Sequence, residues 1–234
     1  MTDATAADED AVDIDVPPDP LVGHPTTAYF WGHVAGSGTV SEDSIEVVTN
    51  DETSAQVLAA IADGDVSHDT TSREYAHDTS ITRTEDEYTL SIGAGEEGLL
   101  GRDSTLSLPV DGRGNYRFGA FASHDRHLLR GLLEGCGTIC FKSKSGTVGI
   151  SFVHDDRELL ALTQDLIADC PVEAPMGDLS ETSSGGYWFG VDDAAAPAFG
   201  SWLYEDCEVT GCFAPSRRRK LERSLEQADA YDDQ

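Results

Sequence analysis

Residues 129–137 read LRGLLEGCG, and this nonamer decides the fold because a weaker copy, FWGHVAGSG, occupies residues 30–38. Each copy has two glycines four positions apart, followed by one small side chain and a closing glycine. A segment that is repeated in a matching context predicts an internal duplication. A chain of 234 residues has room for two fused units of about 100 residues each.

The paired glycines predict how the two units meet. Gly32 and Gly36, like Gly131 and Gly135, are about one helical turn apart, so each nonamer helix carries a stripe that has no side chains. Two such stripes can pack backbone to backbone, and these four glycines are therefore predicted to form the interface between the repeats. The glycine that closes each nonamer suits the left-handed turn with which many helices end.

Similar segments follow the two nonamers. Alternating stretches predict a hairpin after each one, and sequences similar to a capping box predict a second helix in each half, opened at residues 49–52 and 155–158. Further strand-like pieces lie at residues 75–82, 88–92, 171–174 and 186–191. A last helix carries Phe199 and Trp202 on one face, whereas its counterpart in the first half would have to come from residues 96–100.

The nonamers and this order of elements resemble the LAGLIDADG homing endonucleases. The resemblance covers about residues 25–225 and implies an α+β fold. In that fold two pseudo-symmetric αββαββα repeats form a saddle of antiparallel strands, with the motif helices at the interface. The predicted division of the chain is an acidic disordered tail (1–22), repeat 1 (23–122), repeat 2 (123–226) and an acidic C-terminal tail (227–234).

The positions that matter for catalysis in that family are changed in this chain. In the family each motif helix ends in an acidic residue that holds the catalytic metal, and the matching positions here are Ser37 and Cys136. A serine hydroxyl is a poor ligand for Mg²⁺, and a thiol suits softer metals. The sequence therefore predicts a degenerate site with no catalytic residue, no metal and no other cofactor. Glu134 lies about 200° round the helix from Cys136 and is predicted to pair locally rather than to replace the lost acid.

The resemblance also implies a partner, double-stranded DNA. The strands of the saddle would lie in the major groove, and basic side chains would contact phosphates. Lys142 and Lys144 are two apart on a predicted strand and would therefore share a face. The residues predicted to contact DNA are Lys142, Lys144, Arg113, Arg117, Arg73, Arg83, Arg218, Arg219 and Lys220. The alternative is that they are solvated charges that offset nearby acids, and the basic run at 217–220 could equally clamp a phosphate or pair with the acidic tails.

The sequence thus predicts a catalytically inactive DNA-binding protein that acts as a sequence-specific regulator. One alternative is an active homing endonuclease that uses an unusual acid with Mg²⁺. The other is a protein-interaction module that does not touch DNA. Its signature would be an acidic sheet face on which Lys142, Lys144, Arg113 and Arg117 point apart.

The composition predicts the environment in which the protein works. The chain has 44 Asp and Glu against 15 Lys and Arg, a formal net charge of −29, yet 39% of its residues are hydrophobic. With only three lysines, it is similar to proteins of salt-accumulating, archaeal-type halophiles. Such a charge repels nucleic acid at low salt, but the Debye length at 1 M salt is about 3 Å, so that only groups in direct contact matter.

Cysteine usage and hydropathy predict the compartment. Five cysteines, an odd number, without a basic and then apolar leader predict reduced thiols in a cytoplasm. No apolar stretch approaches the roughly 18 residues that a membrane span needs. We therefore expect a cytoplasmic monomer with pseudo-twofold symmetry and no membrane contact.

Overall fold

The computed structural model describes residues 14–41, 44–75, 78–93 and 116–232. The first half contains α1 (Pro25–Ser37), β1 (Gly38–Val40), β2 (Ser44–Thr49), α2 (Glu52–Ala62), β3 (Asp65–Tyr75) and β4 (Asp78–Gly93). A 3₁₀ turn (Phe118–Phe121) leads into the second half. That half contains α3 (Asp125–Cys136), β5 (Gly137–Lys142), β6 (Thr147–His154), α4 (Arg157–Ala168), β7 (Ser180–Glu181), β8 (Tyr187–Val191), α5 (Ala196–Tyr204), α6 (Cys207–Thr210) and α7 (Pro215–Asp232).

Each half builds one antiparallel sheet of four strands. The strand order is β1-β2-β4-β3 in the first sheet and β5-β6-β8-β7 in the second sheet. The two orders are equivalent. In each half the second strand of the first hairpin (β2 or β6) pairs with the second strand of the second hairpin (β4 or β8). Apolar side chains from both sheets and from the helices between them form one buried cluster. The predicted α+β fold with two related repeats is therefore confirmed.

The motif helices α1 and α3 pack against each other through their glycines. A Cβ atom on Gly32 would lie 2.2 Å from the carbonyl oxygen of Leu128, and one on Gly131 would lie 2.2 Å from the carbonyl oxygen of Tyr29. Leu128 and Tyr29 both precede their nonamer by one residue, so the two contacts are equivalent. No side chain larger than hydrogen fits at either glycine without moving backbone.

The closing glycines are needed for a different reason from the one predicted. Gly38 and Gly137 are extended, with φ of −78° and −99°, because α1 and α3 continue directly into strands β1 and β5. A Cβ atom at either position would lie 2.6 Å from the carbonyl oxygen four residues earlier, on Val34 or Leu133. Close approach to the helix end, and not a left-handed turn, excludes a side chain there.

Helices α2 and α4 begin later than the predicted capping boxes. The residues that cap them are Asp51, whose Oδ1 accepts from the backbone N–H of Ser54 at 3.1 Å, and Asp156, whose Oδ1 accepts from that of Glu158 at 2.8 Å. Thr49 is still the last residue of β2, so it is extended and cannot open the helix. Both aspartates are favourable N-caps because their carboxylates satisfy free N–H groups in the first turn.

Of the four strand predictions, two were right, the one at 75–82 was right only in part, and the one at 171–174 was wrong. The predicted strand at 75–82 spans the junction between β3 and β4, which form one long hairpin. The segment 171–174 is not a strand, because prolines at 171 and 175 cannot donate to a ladder, and the edge strand is Ser180–Glu181 instead. The predictions at 88–92 and 186–191 are confirmed by β4 and β8.

The chain ends take a larger part in the fold than the sequence suggested. The Oγ1 hydroxyl of Thr26 donates to the carbonyl of Asp15 at 2.8 Å, and Nε1 of Trp31 donates to that of Pro20 at 2.8 Å, so residues 14–22 lie against α1 rather than in a tail. Helix α7 continues through Asp232, with Ala228 packed on the core, so residues 227–232 are not a tail either. Residues 1–13, 233–234 and the helix predicted at 96–100 lie outside the described residues. Within the part of the chain that the structure describes, no helix is long and apolar enough to cross a membrane.

Candidate nucleic-acid interface

The end of α1 carries no charge. The Oγ hydroxyl of Ser37 lies 3.1 Å from the carbonyl oxygen of His33, to which it donates, and 3.0 Å from Nδ1 of the same residue. Burial lowers the pKa of His33 to about 4, so this imidazole is neutral at physiological pH. Ser37, which stands where the family has an acid, thus forms its hydrogen bonds within its own helix.

The end of α3 is neutral as well. The Sγ thiol of Cys136 donates to the carbonyl of Leu132 at 3.3 Å, and burial raises the pKa of Cys136 to about 12. A hard divalent cation needs oxygen anions, and neither Ser37 nor Cys136 supplies one. Among the described residues, no group of three or more His, Cys, Asp or Glu side chains is placed to hold a metal ion. The residues present at the motif ends therefore do not fit the metal that the family implies.

Glu134, the acid nearest to the end of α3, has a structural role. Its side chain is 5% exposed, and its Oε2 accepts hydrogen bonds from the hydroxyl of Tyr29 at 2.7 Å and from the backbone N–H of Ala214 at 2.9 Å. Burial raises the pKa of Glu134 to about 7, although these two donors oppose the shift. The prediction of a local partner was wrong, because both donors come from segments distant in the sequence.

A second buried charge in the nonamer was missed by sequence reasoning. Arg130 is fully buried, and it donates from Nε to the carbonyl of Leu203 at 2.7 Å and from Nη1 to the carbonyl of Cys212 at 2.9 Å. Buried charges are retained only where hydrogen bonds satisfy them. Arg130 and Glu134 stand four apart in an otherwise apolar nonamer, and that spacing was the available signal. Together they fix α3 to the segment that leads into α7.

A cleft beside the end of α3 contains both signs of charge. It is lined by Val48, Thr49, Asn50, Asp86, Glu87, Glu134, Gly135 and Arg217. Arg217 is half-buried in the first turn of α7, and its guanidinium has no hydrogen bond or ion pair with a described residue. Its positive charge acts on both motif helices, since it adds to the lowering of the His33 pKa by burial and opposes the larger raising of the Cys136 pKa by burial. A cation therefore lies near the two positions that lack their acids.

The predicted basic contacts of the second sheet are only partly where we expected them. Lys142 ends β5, and its Nζ lies 2.5 Å from Oδ1 of Asp193. Lys144 is exposed in the turn that follows, so it does not share a strand face with Lys142 as predicted. Arg117 is exposed just before the 3₁₀ turn. These residues do not form one continuous basic surface.

The remaining predicted contacts divide between β3–β4 and α7. Arg73 and Arg83 are directly paired on β3 and β4, but their side chains, like the whole of Arg113, lie outside the described part of the chain. Arg218 pairs with Glu208 and Glu222 and lies over the ring of Phe213. Arg219 and Lys220 are exposed on α7. The basic run was predicted either to bind a phosphate or to pair with the acidic tails. Arg218 does pair with acids, but these acids lie on α6 and α7 and not on a tail.

Each sheet buries one face under the helices and exposes the other, which we call its open face. Residues that are directly paired on neighbouring strands share a face. In the first sheet Val47 and its partner Leu90 are buried, so the open face carries the alternate residues. Its described members are Thr39, Ser44, Glu46, Val48, Asp65, Ser67, Asp69, Glu87, Thr89, Ser91 and Gly93. Four of these eleven residues are carboxylates, and none is basic.

The open face of the second sheet has a different character. Its residues are Thr138, Cys140, Lys142, Thr147, Gly149, Ser151, Val153, Ser180, Trp188 and Gly190. None is a carboxylate, and Trp188 and Val153 are 43% and 46% exposed. Asp193 reaches this face, but it is bonded to Lys142 and to the Oγ1 hydroxyl of Thr147 at 2.8 Å. In a chain of net charge −29 this is a neutral surface.

The glycine-packed helix pair, with each helix continuing into a four-stranded sheet, defines a LAGLIDADG fold with two repeats in one chain. Residues 6–231 match the model of the LAGLIDADG family described as "putative archaeal homing endonuclease". The match includes nearly the whole chain, and the protein therefore belongs to this family. No curated protein matches the sequence.

Two solved structures have a similar fold at low sequence identity. The homing endonuclease I-WcaI, bound to its DNA recognition sequence, has a TM-score of 0.54 at 9% identity over 86% of this chain and 87% of that one. Full-length DUF199/WhiA from Thermatoga maritima has a TM-score of 0.51 at 11% identity over 91% of this chain. This chain spans 63% of the length of that WhiA protein. At such identities the likeness extends to the fold alone.

Proposed function

We propose that the protein is a catalytically inactive LAGLIDADG protein that binds double-stranded DNA as a sequence-specific regulator. The observation that carries this proposal is the contrast within the motif. The glycines that pack the two helices are retained, whereas both helix ends are neutral and lack a carboxylate. The scaffold that supports two sheets is intact without the groups that would hold a hard metal.

The open face of the second sheet supports DNA as the partner. Its Thr, Ser and Lys side chains can bond to base edges in a major groove. No strand residue of this face is a carboxylate, and the charge of Asp193, which reaches the face, is offset by Lys142. The fold is also that of I-WcaI, which was solved on its recognition sequence. We propose further that the protein works as a cytoplasmic monomer in a salt-accumulating cell, as its acidity and five free cysteines suggest.

The proposal is tested by selecting binders from a randomised duplex pool at about 2 M KCl, where long-range charge effects are screened. We expect an enriched sequence that the purified full chain binds. A variant with Lys142→Glu and Lys144→Glu should lose it, because both residues border the open face of the second sheet. A control with the same change of charge, Arg157→Glu with Arg223→Glu, alters exposed helix residues and should retain binding. No enrichment at any salt concentration would refute DNA binding.

An active endonuclease is the second candidate, and one observation favours it. The cleft beside Gly135 brings Asp86 and Glu87 close to the end of α3, where an unusual acid would have to act. The selected duplex should be incubated with the protein and Mg²⁺ or Mn²⁺. We expect no cleavage, whereas nicking that disappears with Asp86→Asn and Glu87→Gln would establish this candidate.

A further inference from the structure

The two repeats present the same scaffold, but their open faces differ in charge. One row of directly paired residues in the first sheet reads Thr39, Glu46, Ser91 and Asp65 across its four strands. Asp69 and Glu87 are paired on the same face. Residues paired in this way stand about 5 Å apart, so Asp69 and Glu87 are direct neighbours, and all four carboxylates share one face of the sheet.

The equivalent row of the second sheet contains no acid. It reads Thr138, Ser151 and Gly190 across β5, β6 and β8, and the next row adds Val153, Trp188 and Ser180. Thr39 and Thr138 follow the closing glycine of their nonamers and are both exposed, so they occupy equivalent places on the two faces. The repeats therefore differ in what their open faces can touch and not in how they are built.

High salt does not make the two faces equivalent. At 1 M salt a charge more than about 3 Å away is screened, but a carboxylate in direct contact with a phosphate or a base-edge acceptor still loses its hydration without gaining a partner. Like charges that are brought together in an interface therefore weaken binding. In the part of the first sheet whose side chains are described, no Lys or Arg offsets these acids, and the one histidine, His68, contacts Asp86 instead.

We propose that the protein reads DNA with its second sheet alone, so that it recognises a half-site and keeps the first sheet out of the groove. This inference rests on the proposed DNA binding and specifies which surface carries it. Half-sites that are read by two equivalent modules lie about one helical turn apart. One sheet alone is therefore expected to recognise a single block of roughly 10 base pairs. A saddle that used both sheets would recognise two blocks over roughly twice that length.

The matched pair Thr138→Glu and Thr39→Glu tests the proposal. Each variant places one new carboxylate on an exposed strand position of equivalent geometry, and thermal unfolding of both should match that of the parent chain. Affinity for the selected duplex is measured at about 2 M KCl, so that only direct contacts contribute. Thr138→Glu should weaken binding at least about tenfold, whereas Thr39→Glu should change it less than about twofold.

The same samples also give the length of the recognised sequence. A footprint on the selected duplex that protects one block of about one helical turn, and that Thr138→Glu abolishes, supports the proposal. Equal loss in both variants, or protection of two blocks, overturns it and returns the first sheet to the groove. Unchanged affinity in both variants overturns it too, because the second sheet would then not touch the duplex. If the parent chain itself binds no duplex, the proposed function fails first, and that result is recognised before either variant is made.

Discussion

Replacing Gly131 by alanine should destabilise the protein, although alanine is the better helix former. The added Cβ atom would lie 2.2 Å from the carbonyl oxygen of Tyr29 and 2.7 Å from the backbone nitrogen of His33, whereas ordinary contact begins near 3.4 Å. Both neighbours are backbone atoms of α1, so no side chain can rotate away. The two motif helices must therefore separate by roughly 1 Å, and gaps of that size lose a quarter to a half of each dispersion contact.

The size of the effect follows from two opposing contributions. Helix propensity favours alanine over glycine by about 1 kcal/mol, while overpacking in a closed interface costs about 1–3 kcal/mol and the widened interface loses further contacts. We expect a net loss of about 2 kcal/mol in the free energy of unfolding. For a chain of this size that lowers the melting temperature by about 4–8 °C.

Urea unfolding followed by circular dichroism at about 2 M KCl measures this difference against the parent chain. Gly119→Ala is the matched control, because its Cβ atom would have no neighbour within 4 Å. Gly135→Ala should have an intermediate effect, since its nearest contact is 2.9 Å from the carbonyl of His33. A Gly131→Ala protein as stable as the parent, or more stable, would refute close packing of the motif helices.

Two further predictions concern buried ionisable groups. Because the pKa of Glu134 is about 7 in the folded chain and 4.5 in its ordinary range, the stability contributed by its protonated form is complete below about pH 4.5 and is lost as the pH rises through 7. Between pH 5 and 8 the free energy of unfolding of the parent chain should therefore fall by up to roughly 3 kcal/mol relative to that of Glu134→Gln. Parallel plots of unfolding free energy against pH for the two proteins would contradict this. The Cys136 thiol, with a pKa of about 12, should react with iodoacetamide at pH 8 far more slowly in the folded chain than in urea, as peptide mass spectrometry measures. Equal rates in the two states would show that the thiol is not held neutral by burial.

The sequence predicted the architecture well because the repeated nonamer contains local information. Glycines four apart, as at Gly32 and Gly36, indicate a helix that meets another backbone, and alternation after each nonamer indicates a hairpin. The exact helix starts were missed because Thr49 and Asp51 are both good caps within three residues of each other. Only the length of β2, which depends on its pairing with β4, decides between them.

The buried charges could not be predicted from local sequence. Arg130 bonds to carbonyls 73 and 82 residues further along, and Glu134 accepts from a backbone N–H 80 residues further along. The charge of each open face was hidden for a related reason. A shift of one residue in register moves every side chain of a strand to the other face, so the acids of β3 could not be assigned to a face before their pairing with β4 was known.

The motif interface explains how two repeats of one fold can differ so much at their surfaces. Helices α1 and α3 pack closely through glycines and backbone carbonyl oxygens. This packing therefore does not restrict which side chains stand at the helix ends or on the open faces. A carboxylate at a helix C-terminus is unfavourable, and two of them near one interface repel each other. The neutral side chains of Ser37 and Cys136 therefore avoid this cost. By the same reasoning, an acidic face on one sheet and a neutral face on the other make similar demands on the fold.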